Sequence, residues 1–208
     1  GVAVGGADVT LNATSGTNVI TRAVPYQDVV TSSSLGVGAS AAFAFIDHQT
    51  RAAIDNGAVL TGADQLSLIA QGRHTAETRA EGGAEASGSS ATVLTPVVAI
   101  TLAFSDTTAA IGTGAALTTT GDIALAATHD SALATVAEGD AIGGNAAIGA
   151  SFTLAISEET STAQLLRNTT SSGGGIALDA VGLFRSTATS TASSSGATED
   201  AAGAGDDN

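Results

Sequence analysis

The 208-residue chain has no cysteine, methionine or tryptophan, no lysine, and only two prolines. Without cysteine there is no disulfide framework, so stability must come from elsewhere. That suits an extracellular chain held together by repetition, and also a cytosolic one. Aromatic residues make up only 3% of the chain, which excludes a core built on large side chains. A core of Ala, Val, Leu and Ile implies thin layers with closely packed backbones. Six arginines face 20 acids, giving a net charge of −14. Such a surface repels phosphate, so neither nucleic acid nor an anionic membrane surface is an expected partner. The longest apolar run, Val93 to Phe104, is 12 residues, is broken by Thr and Pro, and is too short to span a bilayer. No membrane insertion is expected. No basic segment followed by an apolar one opens the chain, so a signal peptide is expected to have been removed or to lie upstream. Whole-chain disorder is excluded by a mean hydropathy of +0.30.

What the chain does have is repetition. The triplet Val9, Leu11, Ala13 recurs as Leu66, Leu68, Ala70, as Ile123, Leu125, Ala127 and as Ile176, Leu178, Ala180. The offsets are 66−9 = 57, 123−66 = 57 and 176−123 = 53, the mark of a repeat architecture. Segments follow at 1–32 (a partial repeat), 33–86, 87–142 and 143–196, with an acidic tail at 197–208, all in one continuous domain. In the second copy, apolar and polar residues alternate over Gly36–Ile46, Arg51–Ile54, Ala58–Leu60 and Gln65–Ala70. Asp47–Thr50, Asp55–Gly57, Thr61–Asp64 and Gln71–Arg73 read as turns between strands. Ala41, Phe43 and Phe45 align with Val98, Ile100 and Leu102, then with Phe152, Leu154 and Ile156. Each set points to one side of its strand and is expected to share one interior. No capping box precedes an apolar run at helical spacing, so no helix is placed.

The fold expected is all-β, a parallel β-solenoid of 57-residue repeats, with a β-sandwich as the alternative. If each unit winds two or three coils, the stack is about 35 to 55 Å long at ~4.8 Å per coil. The segments Val37–Asp47 and Thr50–Ile54, followed by Gly-rich turns, resemble the repeats of large bacterial β-strand-repeat surface proteins, of the filamentous-haemagglutinin and autotransporter-adhesin kind. That resemblance implies a secreted or surface-anchored β-helix used as an adhesin or stalk, and it brings no catalytic residues.

Candidate chemistry is sparse. His48, His74 and His129 share no repeat register and lack the spacing of metal ligands, so they are expected in exposed turns or at strand ends. No Gly-x-Ser-x-Gly elbow supports a serine triad, and the Gly173–Gly175 run opens no phosphate-binding helix. Asp47, Asp55, Asp64, Asp106, Asp122, Asp130, Glu158 and Glu159 lie near expected turns without any calcium-loop pattern, although Glu81 and Glu138 recur 57 apart. They read as solvating charge; calcium is the one cofactor left open. Thr118–Thr120 fails to recur as the pair an ice-binding face needs. Asn12 and Asn168 head glycosylation sequons. Pro25 and Pro96 read as strand starts or bends. Tyr26 is the one aromatic outside the expected core, which weighs against a binding module.

The expected function is therefore non-enzymatic, with no catalytic, cofactor or metal residues: an extracellular or cell-surface fibre, filament or stalk. Uncapped ends would pair with flanking repeats or with other copies, and Val2, Val4, Val9 and Leu11 are the candidate strand donors. The alternative is an adhesin module that binds glycan or protein through its flank.

Overall fold

The structure, a computed structural model, describes residues 1–24, 34–86 and 90–196. Pro25, Tyr26 and the tail 197–208 lie outside the described residues. The described residues are all-β, with no helix, and every strand pairing is parallel. The first sheet aligns β1 (Val2–Ala23), β4 (Leu60–Ala86), β7 (Ile123–Gly143) and β10 (Ile176–Ser195) in that order. Short β6 (Leu117–Thr119) and β9 (Thr169–Ser171) belong to it as well. The second sheet holds β2 (Leu35–Val37) and β3 (Ser40–Ile54), then β5 (Thr92–Ile111), then β8 (Ala146–Leu165). The sheets lie face to face and the chain alternates between them, a topology compatible with a β-solenoid.

Hydrogen-bonded register follows the offsets of the apolar triplets. Val9 pairs Leu66, Leu66 pairs Ile123 and Ile123 pairs Ile176. The smaller last offset is absorbed between strands. Five residues link β4 to β5 but two link β7 to β8, and β5 and β8 are paired 54 apart. Parallel ladders tolerate this because loop length does not enter the register of the strands it connects.

Several expectations are corrected. Asp47–Thr50 and Gln71–Arg73 are not turns but interiors of β3 and β4. Asp55–Gly57 does turn, with Gly57 at φ 74°. Each 57-residue step therefore carries one long strand per sheet, not two or three coils. Four strands in the first sheet stack to about 14 Å, while a 20-residue strand runs about 65 Å. The molecule is a broad, shallow slab. Pro96 is neither a strand start nor a bend: it lies inside the central strand β5, paired with Ala150. On its other side the ladder is interrupted between β2 and β3, where a proline without an N–H has nothing to donate.

The largest correction concerns the inside. Phe43, Phe45 and Phe152 face outward, 58%, 60% and 53% exposed, and their aligned residues Ile100, Leu102, Leu154 and Ile156 share that face by parity. The opposite parity fills the gap between the sheets: Ala42, Ala44, Ile46, Ala99 and Ala103 from the second sheet. From the first come Leu66, Leu68, Ala76, Ala80, Leu125 and Ala137. Large side chains cluster at one end of the slab around Leu66, Leu68, Ile111 and Leu125. At the other end the backbones nearly touch: a Cβ on Gly38 would stand 2.1 Å from the Gly83 carbonyl oxygen. A gap this narrow admits Ala, Thr and Gly but not Phe.

Candidate functional site

Midway along the slab the interior turns polar. The inward positions of β4 and β7 carry His74 and His129, and those of β3, β5 and β8 bring His48, Thr107 and Glu159 across the gap. Both His74 and His129 keep the parity of the apolar triplets upstream in their strands, so continuous strands send them inward. Their pairing explains the missing shared register: His129 lies opposite Gly72, and His74 opposite Ser131. The expectation of exposed turn or strand-end residues fails for both, since His74 is 3% exposed and His129 fully buried. The three rings form a column, His48 stacked on His74 with centroids 4.4 Å apart and His74 5.0 Å from His129. Phe184 closes it, 5.5 Å beyond His129.

Thr107 Oγ1 lies 2.7 Å from His129 Nδ1, and His129 Nε2 lies 3.4 Å from Glu159 Oε2. Ser131 donates its hydroxyl to the same carboxylate. Gly72 makes this possible, because a Cβ there would stand 2.5 Å from Thr107 Oγ1 and 2.9 Å from His129 Nδ1. Burial lowers the basicity of His74, to a pKa of about 4, with repulsion from His48 and His129 adding to it. His129 is also lowered by burial, against an opposing pull from Glu159 and Asp130. Both rings are therefore neutral at pH 7.

The hydroxyl, imidazole and carboxylate have the connectivity of a proton relay, but Thr107 and His129 present no surface to solvent. No substrate atom can reach them, and the cluster is a buried polar seam, hydrogen-bonded at Thr107 and Ser131 but leaving His48 Nε2, His74 Nδ1 and His129 Nε2 without a hydrogen-bond partner. Thr101 extends it, donating to Thr78 at 2.7 Å and accepting from Thr135 at 2.7 Å.

The acids divide among other tasks. Asp47, Asp106 and Glu158 line a shallow depression of about 220 Å³ on the outer flank of the second sheet. Among the described residues no three His, Asp or Glu are grouped to hold a metal ion. Asp64 accepts from Thr120 across neighbouring windings at 2.5 Å, and Asp122 from the Gly175 N–H at 2.7 Å. Glu81 and Glu138 recur because they pair across β4 and β7, where Arg79 bridges them. Asp130 joins Arg73 to Arg185, each at 3.3 Å. The outer face of the first sheet is thus laced by charges. Arg167 is buried at a corner. It donates to the carbonyls of Gly112 (2.5 Å), Ala58 (2.6 Å), Asp55 (3.0 Å) and Thr113 (3.2 Å). No local sequence signal marks it, because all four acceptors are backbone.

Val2, Val4, Val9 and Leu11 belong to β1, which among the described residues is paired to β4 alone, and the last three pack against the main core. They form the sheet's own outermost strand rather than a free arm. Asn12 is exposed on β1, and Asn168 is exposed in the loop before β9. Compared with family models, curated proteins and solved structures, the chain matches none.

Proposed function

We propose that this chain is a length of parallel β-solenoid, wound once per repeat, with a structural and non-enzymatic role in an extracellular or cell-surface fibre or stalk. The observation carrying this reading is the geometry of the edges. Among the described residues β1 and β10 are each paired on one side only, as are β3 and β8 in the second sheet. Parallel edges in register present unpaired backbone groups to whatever winding comes next, from flanking repeats or from another copy. Contacts of this head-to-tail kind propagate instead of closing. The resemblance to β-strand-repeat surface proteins points the same way, as does the inaccessibility of the polar seam.

An adhesin module draws support from the outward Phe43, Phe45 and Phe152. A glycan site, however, needs polar groups converging around its aromatics. Phe43 and Phe152 have only apolar neighbours along this face of their strands, and polar groups meet an aromatic on this face at Phe104, beside Asp47, Asp106 and Glu158. The structural reading is therefore the stronger. Negative-stain electron microscopy of the 208-residue chain over a concentration series tests it. Uniform fibres that lengthen with concentration, and that are lost when residues 1–23 are deleted, are expected. Isolated slabs at every concentration would overturn growth through the edges.

A further inference from the structure

We infer that the outer face of the second sheet is the interface of an antiparallel, face-to-face pair of copies of this chain. The outward positions run from Val37 on β2 to Phe45 on β3, Leu94 to Phe104 on β5 and Ile148 to Ile156 on β8. No charged residue interrupts them. Phe43, Phe45, Ile148, Phe152, Leu154 and Ile156 all expose more than a third of their surface. Eleven positions along β5, at ~3.3 Å each, by three strands at ~4.8 Å make a flat apolar face of about 500 Å². A continuous apolar patch of that size lies toward the upper end of the largest patches on monomers, about 300–600 Å², and such patches are often functional. Two such faces closed together bury about 1,000 Å², the lower bound for a specific interface.

A second copy fits this face better than other occupants. Pleated apolar faces interdigitate with their like at about 10 Å, as in a sandwich, and an isologous contact needs one self-complementary patch. A net charge of −14 disfavours an anionic bilayer. Charge also sets the orientation. Asp47, Asp106 and Glu158 flank one end of the apolar run, while its other end, at Val37 and Ile148, is uncharged. A two-fold axis across the strands lays each carboxylate row beside the partner's uncharged end; parallel strands would set the two rows against each other.

This pairing is independent of growth through the edges, and sedimentation equilibrium separates them. The 208-residue chain is expected to dimerise, and Phe45→Asp with Leu102→Asp is expected to raise the dissociation constant by about thirtyfold or more. Circular dichroism should be unchanged, since both side chains face outward. The chain lacks cysteine, so spin labels on Ile100→Cys or Asp47→Cys are unique probes. The Ile100 labels should face each other across the sheets, whereas the Asp47 labels should lie about 25 Å apart along the strands. A monomer at every concentration, or a dimer indifferent to the double substitution, overturns the interface. So does a monomer that binds phosphatidylcholine vesicles through this face. Equal distances from the two labels overturn the antiparallel arrangement. Fibres that the unsubstituted chain builds from single, unpaired slabs overturn this inference and leave the edge reading standing, whereas unpaired fibres in the double variant are the result expected when the face is lost and the edges are kept.

Discussion

At the scale of single residues, the fold depends on side chains that satisfy backbone the ladders leave over. Arg167 gathers four carbonyls from two successive windings. Burying a guanidinium is tolerable only because nearly every donor is used. Arg167→Met keeps the stem but leaves those carbonyls with water or nothing. It should cost about 2–4 kcal/mol, measured as a shift in the urea midpoint at unchanged slope. An unchanged midpoint would mean that the carbonyls are satisfied without it. Gly38 works by absence, because any Cβ there meets the Gly83 carbonyl at 2.1 Å. Gly38→Ala is expected to destabilise by about 1–3 kcal/mol, whereas the same change at Gly83, with nothing within 4 Å of its Cβ position, should cost less. Similar losses at the two sites would refute close approach as the cause.

Among the elements, β4, β5 and β7 are enclosed and β10 is not. Residues throughout β10, Ile176, Leu178 and Phe184 included, remain exposed although the strand lies across from β8, because it has one hydrogen-bonded neighbour. Opening free energies should therefore be graded. Amide hydrogen exchange is expected to be slowest around Leu68, Thr101 and Leu125 and fastest along β10. Uniform protection across the four strands of the first sheet would show that β10 is covered in solution.

For the whole molecule, the buried histidine column makes stability depend on pH. His74 has its folded-state pKa lowered from 6.5 to about 4, and that of His129 is lowered too. A base depressed in the folded state takes up its proton on unfolding. The stability it confers is therefore complete above pH 6.5 and is lost as pH falls from 6.5 towards 4. For His74 alone this amounts to about 3 kcal/mol at most. Thermal melts from pH 7.5 to 4.5 should show a falling midpoint, and His74→Gln should flatten the fall by removing one titrating group. An equally steep fall in the variant would move the pH dependence to other groups.

Much of this was legible in the sequence, for a reason that also limits it. Parallel stacking pairs each residue with its counterpart one repeat away, so the spacing of Val9, Leu66, Ile123 and Ile176 carries the register directly. Period-two alternation likewise carries parity, which is how His74 and His129 could have been placed on the face of Leu66 and Ile123. The break came from treating Gln71–Arg73 as a turn, when Gly72 is small to leave room inside. Which parity is the interior was decided only by the tertiary structure. β3, β5 and β8 have apolar residues on both faces, and the usual preference for burying the larger ones points the wrong way. The distance between the sheets settles it: Ala, Thr and Gly fit that gap, so Phe43, Phe45 and Phe152 are left facing out.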